Sequence, residues 1–311
     1  MPCRFVSRAV RALALLAATA LLPHPAAATC ELSKVTTVKL TIEGSRLYVP
    51  VSINETEGQF ILDTGSELTM LNADFADQAH VGLSTYAGQV SMTGLGGRSS
   101  LPVNQAHART TEVGTIKFPD WLYPVLPREM VAKDKTERQG LLGMDFLHYF
   151  DMDMDLQAGT LTLWRVTGCT DIHPEWQGDY DAIPLKHTVR QSVTMPIFVD
   201  DAFLDVVFDT GADGAWLTRD AAARAGVTDE MLAKDKSDNG AGVGGEVAAA
   251  AHLFKLLLIG SGEFPNARIT VETKRRQSFY SDGLVDWRFL RARKIWISYP
   301  TNTLFVQKIA K

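Results

Sequence analysis

The sequence FILDTGS occupies residues 60–66 of the chain, and a similar sequence, VVFDTGA, occupies residues 206–212. Each stretch is an apolar run that ends in Asp-Thr-Gly, and the two aspartates, Asp63 and Asp209, lie 146 residues apart. An apolar strand followed by this tripeptide carries a carboxylate to the end of a buried strand, and the glycine permits a sharp turn there. A single copy is also typical of an ordinary turn whose aspartate caps local N–H groups. Two copies in one chain indicate a duplicated unit.

The repeat extends beyond the two tripeptides in the same register. Pro50 and Pro196 each lie thirteen residues before their aspartate. After each aspartate, a helix-capping residue opens a short alanine-rich segment, and this pattern predicts helices over residues 73–79 and 219–225. The chain therefore contains two copies of one unit.

Each copy also carries a glycine cluster in a polar stretch. The clusters consist of Gly94, Gly96 and Gly97 in the first copy and Gly242, Gly244 and Gly245 in the second. Glycines at this spacing are typical of hairpins, and ordinary hairpin turns are one interpretation of both clusters.

Most of the remaining chain consists of short apolar or alternating runs rich in Val, Ile, Thr, Phe and Tyr. Such runs predict strands of about five to eight residues separated by turns. The sequence therefore predicts an all-β fold with a few short helices and two similar lobes related by a pseudo-twofold axis. We place the first lobe at residues 31–166, a linker at residues 167–179 and the second lobe at residues 180–311.

The first 28 residues are typical of an export signal. Three arginines, Arg4, Arg8 and Arg11, precede an unbroken apolar run at residues 12–22, and small residues at 26–28 fit a cleavage site. The apolar run is about half of the roughly 20 residues that a membrane-spanning helix needs. We therefore expect the signal to be removed, the mature protein to be periplasmic or secreted, and the mature chain to hold no integral membrane span.

Removal of the signal leaves two cysteines, Cys30 and Cys169. An even pair in an oxidising compartment predicts a disulfide between them, which would tie the mature N-terminus to the segment after the first lobe. The alternative is lipidation of Cys30, although Thr29 before it fits lipoprotein processing poorly.

The charge balance argues against a nucleic-acid partner. The chain has 31 basic and 36 acidic residues, and loss of the three signal arginines changes its net charge from −5 to −8. Proteins that bind nucleic acid carry a basic patch or stripe, which is missing from this sequence.

The sequence predicts neither a metal site nor a cofactor. The seven histidines are scattered, without the spacing of metal ligands. Asp151, Asp153 and Asp155 resemble the start of a calcium loop, but the later residues of that loop are missing. Their alternation on a strand predicts that all three lie on one solvated face.

Pseudo-twofold packing of two such lobes brings their equivalent strand ends together. The carboxyl groups of Asp63 and Asp209 would then meet across a cleft, where two like charges about 3 Å apart cannot both ionise. The ionised partner would take a proton from a bound water, and the protonated partner would hydrogen-bond the substrate carbonyl. This chemistry needs no metal and no covalent intermediate.

The paired Asp-Thr-Gly motifs, the glycine-rich hairpins and the Gly-Leu-Leu-Gly at residues 140–143 resemble the aspartic peptidase clan, in its pepsin-like and retropepsin-like branches. The resemblance spans nearly the whole mature chain and implies the bilobed acid-protease fold, with two β-barrel-like lobes in a single chain. It implies Asp63 and Asp209 as the catalytic dyad, a monomer sufficient for a complete site, and substrate-binding flaps at the two glycine clusters. It also implies supporting roles beside the dyad for Thr64, Gly65, Ser66, Thr210 and Gly211.

The two halves differ beside the dyad. Ser66 matches a position whose hydroxyl supports the neighbouring carboxylate, whereas Ala212 has no hydroxyl, so we expect Asp63 to carry the charge more often. The second half also has Asp286 where the first has Gly143, which puts the geometry beneath the second loop in doubt.

Two functions are compatible with these residues. The resemblance implies an aspartic endopeptidase that hydrolyses an extended peptide or protein. The alternative is a catalytically inactive module that binds peptides or proteins on the same scaffold. The intact Asp-Thr pairs favour the enzyme, whereas Ala212 and Asp286 favour the module. Because the first predicted strand begins close to the cleavage site, we expect activity without removal of a long inhibitory prosegment.

Overall fold

The computed structural model describes residues 30–84, 89–94, 97–128, 139–188, 192–242, 245–275 and 281–309. The predicted signal, residues 1–28, lies outside the described residues, and so do two of the predicted flap glycines, Gly96 and Gly244. Within the described part of the chain, no helix has both the length and the apolar character needed to cross a membrane.

The chain folds mainly as strands, which confirms the predicted all-β class. The strands of the first half are β1 (Glu31–Lys39), β2 (Thr41–Glu43), β3 (Arg46–Ile53), β4 (Thr56–Leu62), β5 (Met70–Asn72), β6 (Gly82–Leu83), β7 (Val90–Gly94), β8 (Gly97–Val103), β9 (Gln105–Val113), β10 (Ile116–Leu126), β11 (Gly140–Leu142), β12 (Asp151–Asp155) and β13 (Thr160–Thr167). The strands of the second half are β14 (Tyr180–Pro184), β15 (Lys186–His187), β16 (Val193–Val199), β17 (Ala202–Phe208), β18 (Trp216–Leu217), β19 (Lys236–Ser237), β20 (Gly240–Gly242), β21 (Gly245–Val247), β22 (Ala249–Ile259), β23 (Gly262–Glu272), β24 (Gly283–Val285), β25 (Lys294–Ser298) and β26 (Thr303–Gln307). The helices are α1 (Ala73–Gln78), α2 (Met144–Leu147), α3 (Arg219–Arg224), α4 (Asp229–Leu232) and a 3-10 helix at Trp287–Leu290.

Each half folds around one eight-stranded sheet, and the two sheets have the same topology. The strand order is β2-β3-β4-β11-β5-β10-β9-β6 in the first half and β15-β16-β17-β24-β18-β23-β22-β19 in the second. Additional pairings of β3 with β9 and of β16 with β22 close six strands of each sheet into a barrel. The predicted pair of similar β-barrel-like lobes is therefore confirmed.

Alternation along the strands fills both barrels with apolar side chains. Phe60 and Leu62 of β4, and Val206 and Phe208 of β17, are fully buried in the core. Because successive side chains of a strand point to opposite faces, the residue after each of these strands points away from the core. That residue is the aspartate of each Asp-Thr-Gly motif.

The predicted helices after each motif are confirmed, and each ends one residue earlier than predicted. α1 begins after Asn72, whose side-chain oxygen accepts a hydrogen bond from the N–H of Asp74 at 2.9 Å. α3 begins after Thr218, whose hydroxyl accepts a hydrogen bond from the N–H of Ala221 at 3.1 Å. Both caps satisfy backbone donors that the first turn of a helix leaves free.

A third sheet contains strands of both halves. Its order is β1-β13-β12-β25-β26-β14, so that three strands from the first half and three from the second form one continuous surface. At its centre β12 pairs with β25, from Met152 opposite Ile297 to Asp155 opposite Lys294. This sheet connects the two lobes by backbone hydrogen bonds.

The position of β12 overturns one prediction about the acidic run. Asp151 is buried, and it accepts hydrogen bonds from the indole N–H of Trp296 at 3.1 Å and from the N–H of Tyr299 at 3.2 Å. The solvated face predicted for Asp151, Asp153 and Asp155 is therefore wrong, because β12 lies in the middle of a sheet rather than at its edge.

The predicted disulfide is present. Cys30 and Cys169 are bonded across a sequence separation of 139 residues. The bond joins the start of β1 to the segment after β13, next to the pair that Glu31 and Thr167 form between these strands. Residues 168–179, between β13 and β14, form neither helix nor strand.

Candidate active site

The two motif aspartates lie at equivalent points of the two barrels. The N–H of Asp63 donates to the carbonyl of Leu142, and the N–H of Asp209 donates to the carbonyl of Val285, each at 3.0 Å. Leu142 and Val285 end β11 and β24, which pair in parallel with β4 and β17. Each aspartate is therefore held by the ends of two neighbouring strands.

Thr64 and Thr210 interlock the two motif loops. The hydroxyl of Thr64 donates to the carbonyl of Phe208 at 2.6 Å and accepts from the N–H of Thr210 at 3.0 Å. The hydroxyl of Thr210 donates to the carbonyl of Leu62 at 2.6 Å and accepts from the N–H of Thr64 at 3.1 Å. Both threonines are fully buried, so these four bonds satisfy groups that water does not reach.

Gly65 and Gly211 allow the two carboxyl groups to approach. The N–H of Gly65 donates to Oδ1 of Asp63, and the N–H of Gly211 donates to Oδ1 of Asp209, each at 2.9 Å. A Cβ atom on Gly65 would overlap the carboxyl group of Asp209, and one on Gly211 would overlap the carboxyl group of Asp63. Only glycine leaves this space open. The two predicted catalytic aspartates therefore meet across the lobe interface.

Burial raises the pKa of both aspartates. The pKa of Asp209 is raised well above its ordinary value, first because the group is buried and then because the charge of Asp63 opposes its ionisation. Burial also raises the pKa of Asp63, although the N–H of Gly65 and a hydrogen bond with Asp209 act in the opposite direction. Two carboxyl groups in hydrogen-bond contact share one proton as a pair. The site thus contains an acid and a base side by side.

Ser66 stabilises its loop differently from the expectation. Its hydroxyl donates to the carbonyl of Leu68 at 2.9 Å, so the prediction that this hydroxyl supports the carboxylate of Asp63 is wrong. The backbone N–H of Ser66 lowers the pKa of Asp63 instead. The carbonyl of Ser66 accepts from the N–H of Met144 at 2.9 Å, which ties the loop to the start of α2.

The two lobes have their glycine at different positions beneath the motif loop, Gly143 in the first lobe and Gly214 in the second. In the first lobe, a Cβ atom on Gly143 would overlap the backbone of Leu68, so the contact requires glycine at position 143. In the second lobe the residue equivalent to Leu68 is Gly214, whose φ of +127° favours glycine. The backbone of the second lobe therefore differs at this point, and a side chain is accommodated at Asp286.

Asp286 supports the second loop through an ion pair. It is buried and bonded to the guanidinium of Arg288, which also lies 3.6 Å from the carboxylate of Asp213 just after the second motif. Burial raises the pKa of Asp286, and the charge of Arg288 opposes that rise. In the first lobe, Asp145 is bonded to the segment after the first motif and accepts from the N–H and the hydroxyl of Thr69 at 2.8 and 2.6 Å.

Sequence reasoning missed Arg46. β3 pairs with β4 with Tyr48 opposite Ile61, and two residues further this antiparallel register places Arg46 opposite Asp63. The positive charge of Arg46 lowers the pKa of both dyad aspartates, against the effect of burial. The 146-residue offset places Ser192 at the equivalent point of the second lobe. An arginine in one copy of the repeat and a serine in the other, close to the motif strand, could have indicated the role of Arg46.

The two glycine clusters lie on hairpins. β7 pairs with β8, with Gly94 opposite Gly97, and β20 pairs with β21, with Gly242 opposite Gly245. The turns that contain Gly96 and Gly244 lie outside the described residues. The role of both hairpins as flaps stays a prediction.

The described residues contain no group of three or more His, Cys, Asp or Glu side chains arranged to hold a metal ion. The acidic residues next to the dyad have other partners. Asp145 is bonded to Thr69, and Asp213 and Asp286 lie against Arg288.

Known proteins match both the first lobe and the whole fold. Residues 49–146, which include the first Asp-Thr-Gly motif, match the family model described as aspartyl protease. The fold is similar to the crystal structure of the aspartic proteinase from Irpex lacteus, with a TM-score of 0.51 and 13% sequence identity over 91% of this chain and 98% of that chain. No curated protein matches the chain. At this identity, the likeness to the Irpex lacteus enzyme shows the fold alone.

The described residues have the pepsin-like two-lobe fold of aspartic proteinases, and the two Asp-Thr-Gly loops of that fold meet at the lobe interface. The resemblance inferred from the two motifs is therefore confirmed. The family match in the first lobe supports protease activity in general, and with it a peptide as the substrate.

Proposed function

We propose that the protein is an aspartic endopeptidase that cleaves extended peptides or proteins with Asp63 and Asp209 as its catalytic dyad. One observation carries the proposal. Each motif glycine lies against the carboxyl group of the other lobe's aspartate, so that the two carboxyl groups meet at the pseudo-twofold axis. Two hydrogen-bonded carboxyl groups of raised pKa are the arrangement that activates water without a covalent intermediate.

The reaction uses the proton that the pair shares. The ionised carboxylate takes a proton from a water bound between the two groups, and the oxygen of that water attacks the peptide carbonyl. The protonated carboxyl group donates to the carbonyl oxygen and stabilises the charge that develops there. The hairpins β7–β8 and β20–β21 would close over the bound peptide and exclude water.

Cleavage of a peptide library by the purified protein tests this function. Asp63→Asn and Asp209→Asn should each reduce kcat/KM by at least about a thousandfold, because each removes one half of the acid–base pair. Asp171→Asn, an exposed aspartate in the segment before β14, is the matched control and should keep full activity. A transition-state mimic of the statine type should inhibit the wild type. Peptide binding without turnover at any pH would favour the inactive binding module instead.

We also propose that residues 1–28 direct export and are removed. The basic start, the apolar run and the small residues before position 29 support this, and the Cys30–Cys169 disulfide fits an oxidising compartment. N-terminal sequencing of the protein isolated from the periplasm or the medium should find a start near Thr29. A mature protein that retains Arg4 to Arg11 would contradict the proposal.

A further inference from the structure

The outer face of the second barrel carries apolar side chains. Phe198, Phe203 and Leu258 each lie between two buried neighbours on their strands, so these three side chains point outward. Phe198 of β16 pairs with Phe203 of β17 on one side and with Leu258 of β22 on the other. The two rings are in edge-to-face contact, with centroids 5.4 Å apart, and they are 45% and 53% exposed. Leu253 and Leu256 continue the apolar surface along β22, and we call these five residues the outer patch.

The first barrel is polar at the same place. The 146-residue offset matches the residues of the outer patch with Ser52, Glu57, His107, Thr110 and Glu112. The pairing agrees with this match, because Ser52 pairs with Glu57 on one side and with Glu112 on the other. The barrel therefore forms equally well with polar side chains on this face. An exposed apolar patch that only one of two equivalent barrels carries indicates a contact outside the barrel.

The outer patch is complementary to a second copy of itself. Phe203 and Leu258 lie on opposite sides of Phe198 in one row across three strands. A twofold axis along β16 would therefore place Phe198 on its own copy and Phe203 on Leu258 of the second copy. Two sheet faces pack in this way, with the side chains of one face between those of the other.

The charges beside the outer patch fit the same symmetry. Asp200 and Asp201 form the turn between β16 and β17, and the N–H of Asp200 donates to the carbonyl of Leu256 at 2.8 Å. Lys255 precedes Leu256, and both Lys255 and Asp201 are exposed. These two charges therefore lie at the same end of β16 but on its opposite sides. The twofold axis would bring each of them next to its opposite charge in the second copy.

The same charges disfavour a membrane as the partner of this face. Anionic lipids attract clusters of basic residues. The outer patch is instead bordered by two aspartates, and the whole chain has 36 acidic and 31 basic residues.

We propose that the outer patch is the interface of a homodimer in which two second barrels pack face to face. The core of this interface is Phe198 with Phe203 and Leu258 on either side, and Lys255 pairs with Asp201 of the second copy. The interface contains neither motif loop, so this inference does not rest on the proposed peptidase function.

Sedimentation velocity of the purified protein over a range of concentrations tests the proposal. The wild type should sediment as a dimer that dissociates on dilution. The double variant Phe198→Ser, Phe203→Glu gives the second barrel the residues of the first. It should raise the Kd of the dimer by about a hundredfold or more, because the dimer buries each ring twice. Leu122→Ser removes a side chain of similar exposure, 42%, from the first barrel and should leave the Kd unchanged.

An exchange of charges tests the twofold arrangement. Lys255→Glu should raise the Kd several-fold, because it brings like charges together across the interface. The double variant Lys255→Glu, Asp201→Lys should restore the wild-type Kd, and a Kd that stays raised would overturn the arrangement. Thermal unfolding checks that each variant is folded.

Three results would overturn the dimer itself. The first is a wild type that remains monomeric at every concentration. The second is a dimer that persists in the folded variant Phe198→Ser, Phe203→Glu. The third is a monomer that binds vesicles of phosphatidylglycerol through Phe198 and Phe203, which would assign the outer patch to a membrane.

Discussion

Arg46 makes the surroundings of the two dyad aspartates chemically different. It lies opposite Asp63 on β3, and the equivalent position of the second lobe is Ser192. Its guanidinium favours the ionised form of both aspartates, while burial favours the neutral form. The pH range over which the pair holds a single proton therefore depends on this arginine.

Replacement of Arg46 by methionine should move the acid limb of the pH–activity profile to higher pH. Loss of the positive charge raises the pKa of the dyad, so a higher pH is needed before one carboxyl group ionises. We expect a shift of about half a pH unit to one unit in kcat/KM against pH, since such a charge in a partly solvated site has a modest effect. Arg46→Lys keeps the charge and should leave the limb in place. An identical profile for Arg46→Met and the wild type would show that the charge of Arg46 does not act on the dyad.

The raised pKa of Asp209 predicts that ionisation of this side chain costs the folded protein stability at neutral pH. Because its pKa is raised on folding, the folded protein binds the proton more tightly than the unfolded chain, in which aspartates titrate near pH 3.9. The contribution of Asp209 to stability is therefore fully present below that pH and is lost as the pH rises through its folded pKa.

Asp209→Asn should accordingly be more stable than the wild type at pH 7, although it is inactive. The expected gain in the free energy of unfolding is about 1.4 kcal/mol for each unit by which folding raises the pKa, and it should vanish near pH 3. Thermal unfolding at several pH values measures the difference, with Asp171→Asn as the control. A variant that is no more stable than the wild type at pH 7 would contradict the raised pKa.

At the scale of the elements, the motif loops depend on each other. Each loop satisfies part of the other loop's backbone, because each threonine hydroxyl is bonded across the lobe interface. Loss of one hydroxyl therefore affects both lobes at once.

Thr64→Val should lower the free energy of unfolding by about 2–5 kcal/mol. The variant leaves two buried groups without partners, the carbonyl of Phe208 and the N–H of Thr210, and each unsatisfied group costs about 1–3 kcal/mol. Thr64→Ser keeps the hydroxyl and should lose much less. Urea unfolding and peptide cleavage should change together, since the same bonds position Asp63 and Asp209. Full stability of Thr64→Val would mean that the four-bond arrangement contributes little.

The elements also show what local sequence does and does not determine. The strand–turn motif, the capped helices and the paired hairpins each depend on fewer than about ten neighbouring residues. All of them could therefore be predicted from the sequence. The hydroxyl of Ser66 was assigned to Asp63 but bonds to Leu68, because a short loop offers several acceptors at similar distance. The sequence also could not explain why Asp286 replaces a glycine, because the reason for glycine at the equivalent Gly143 is its contact with the backbone of Leu68.

At the scale of the whole molecule, the lobes are joined by more than their active site. The six-stranded sheet has its centre between β12 and β25, and Asp151 connects the two halves by accepting from Trp296 and Tyr299. Hydropathy alone could not predict this, because β25, the second partner of β12, lies more than a hundred residues further along the chain. The alternating aspartates were typical of an exposed edge.

Asp151→Ala should weaken this connection between the lobes. The variant leaves the indole N–H of Trp296 and the N–H of Tyr299 without their acceptor, and we expect a loss of about 2–4 kcal/mol in the free energy of unfolding. Asp151→Asn retains an acceptor oxygen and should lose less than half of that. Denaturant unfolding compares the two variants. Equal losses would show that the charge of Asp151, rather than its hydrogen bonds, maintains the contact.

The six-stranded sheet that both halves share can form only after the second half of the chain has been synthesised. While the ribosome is still making the second half, one side of β12 has no neighbour, and its free backbone groups can pair with any other unfinished chain. Until the second half has been made, β12 lacks its partner β25 and the first motif loop lacks its bonds to Thr210, so neither aspartate is in its final setting. A chain that stops within the second barrel would therefore have an unpaired β12 edge and an incomplete pair of motif loops.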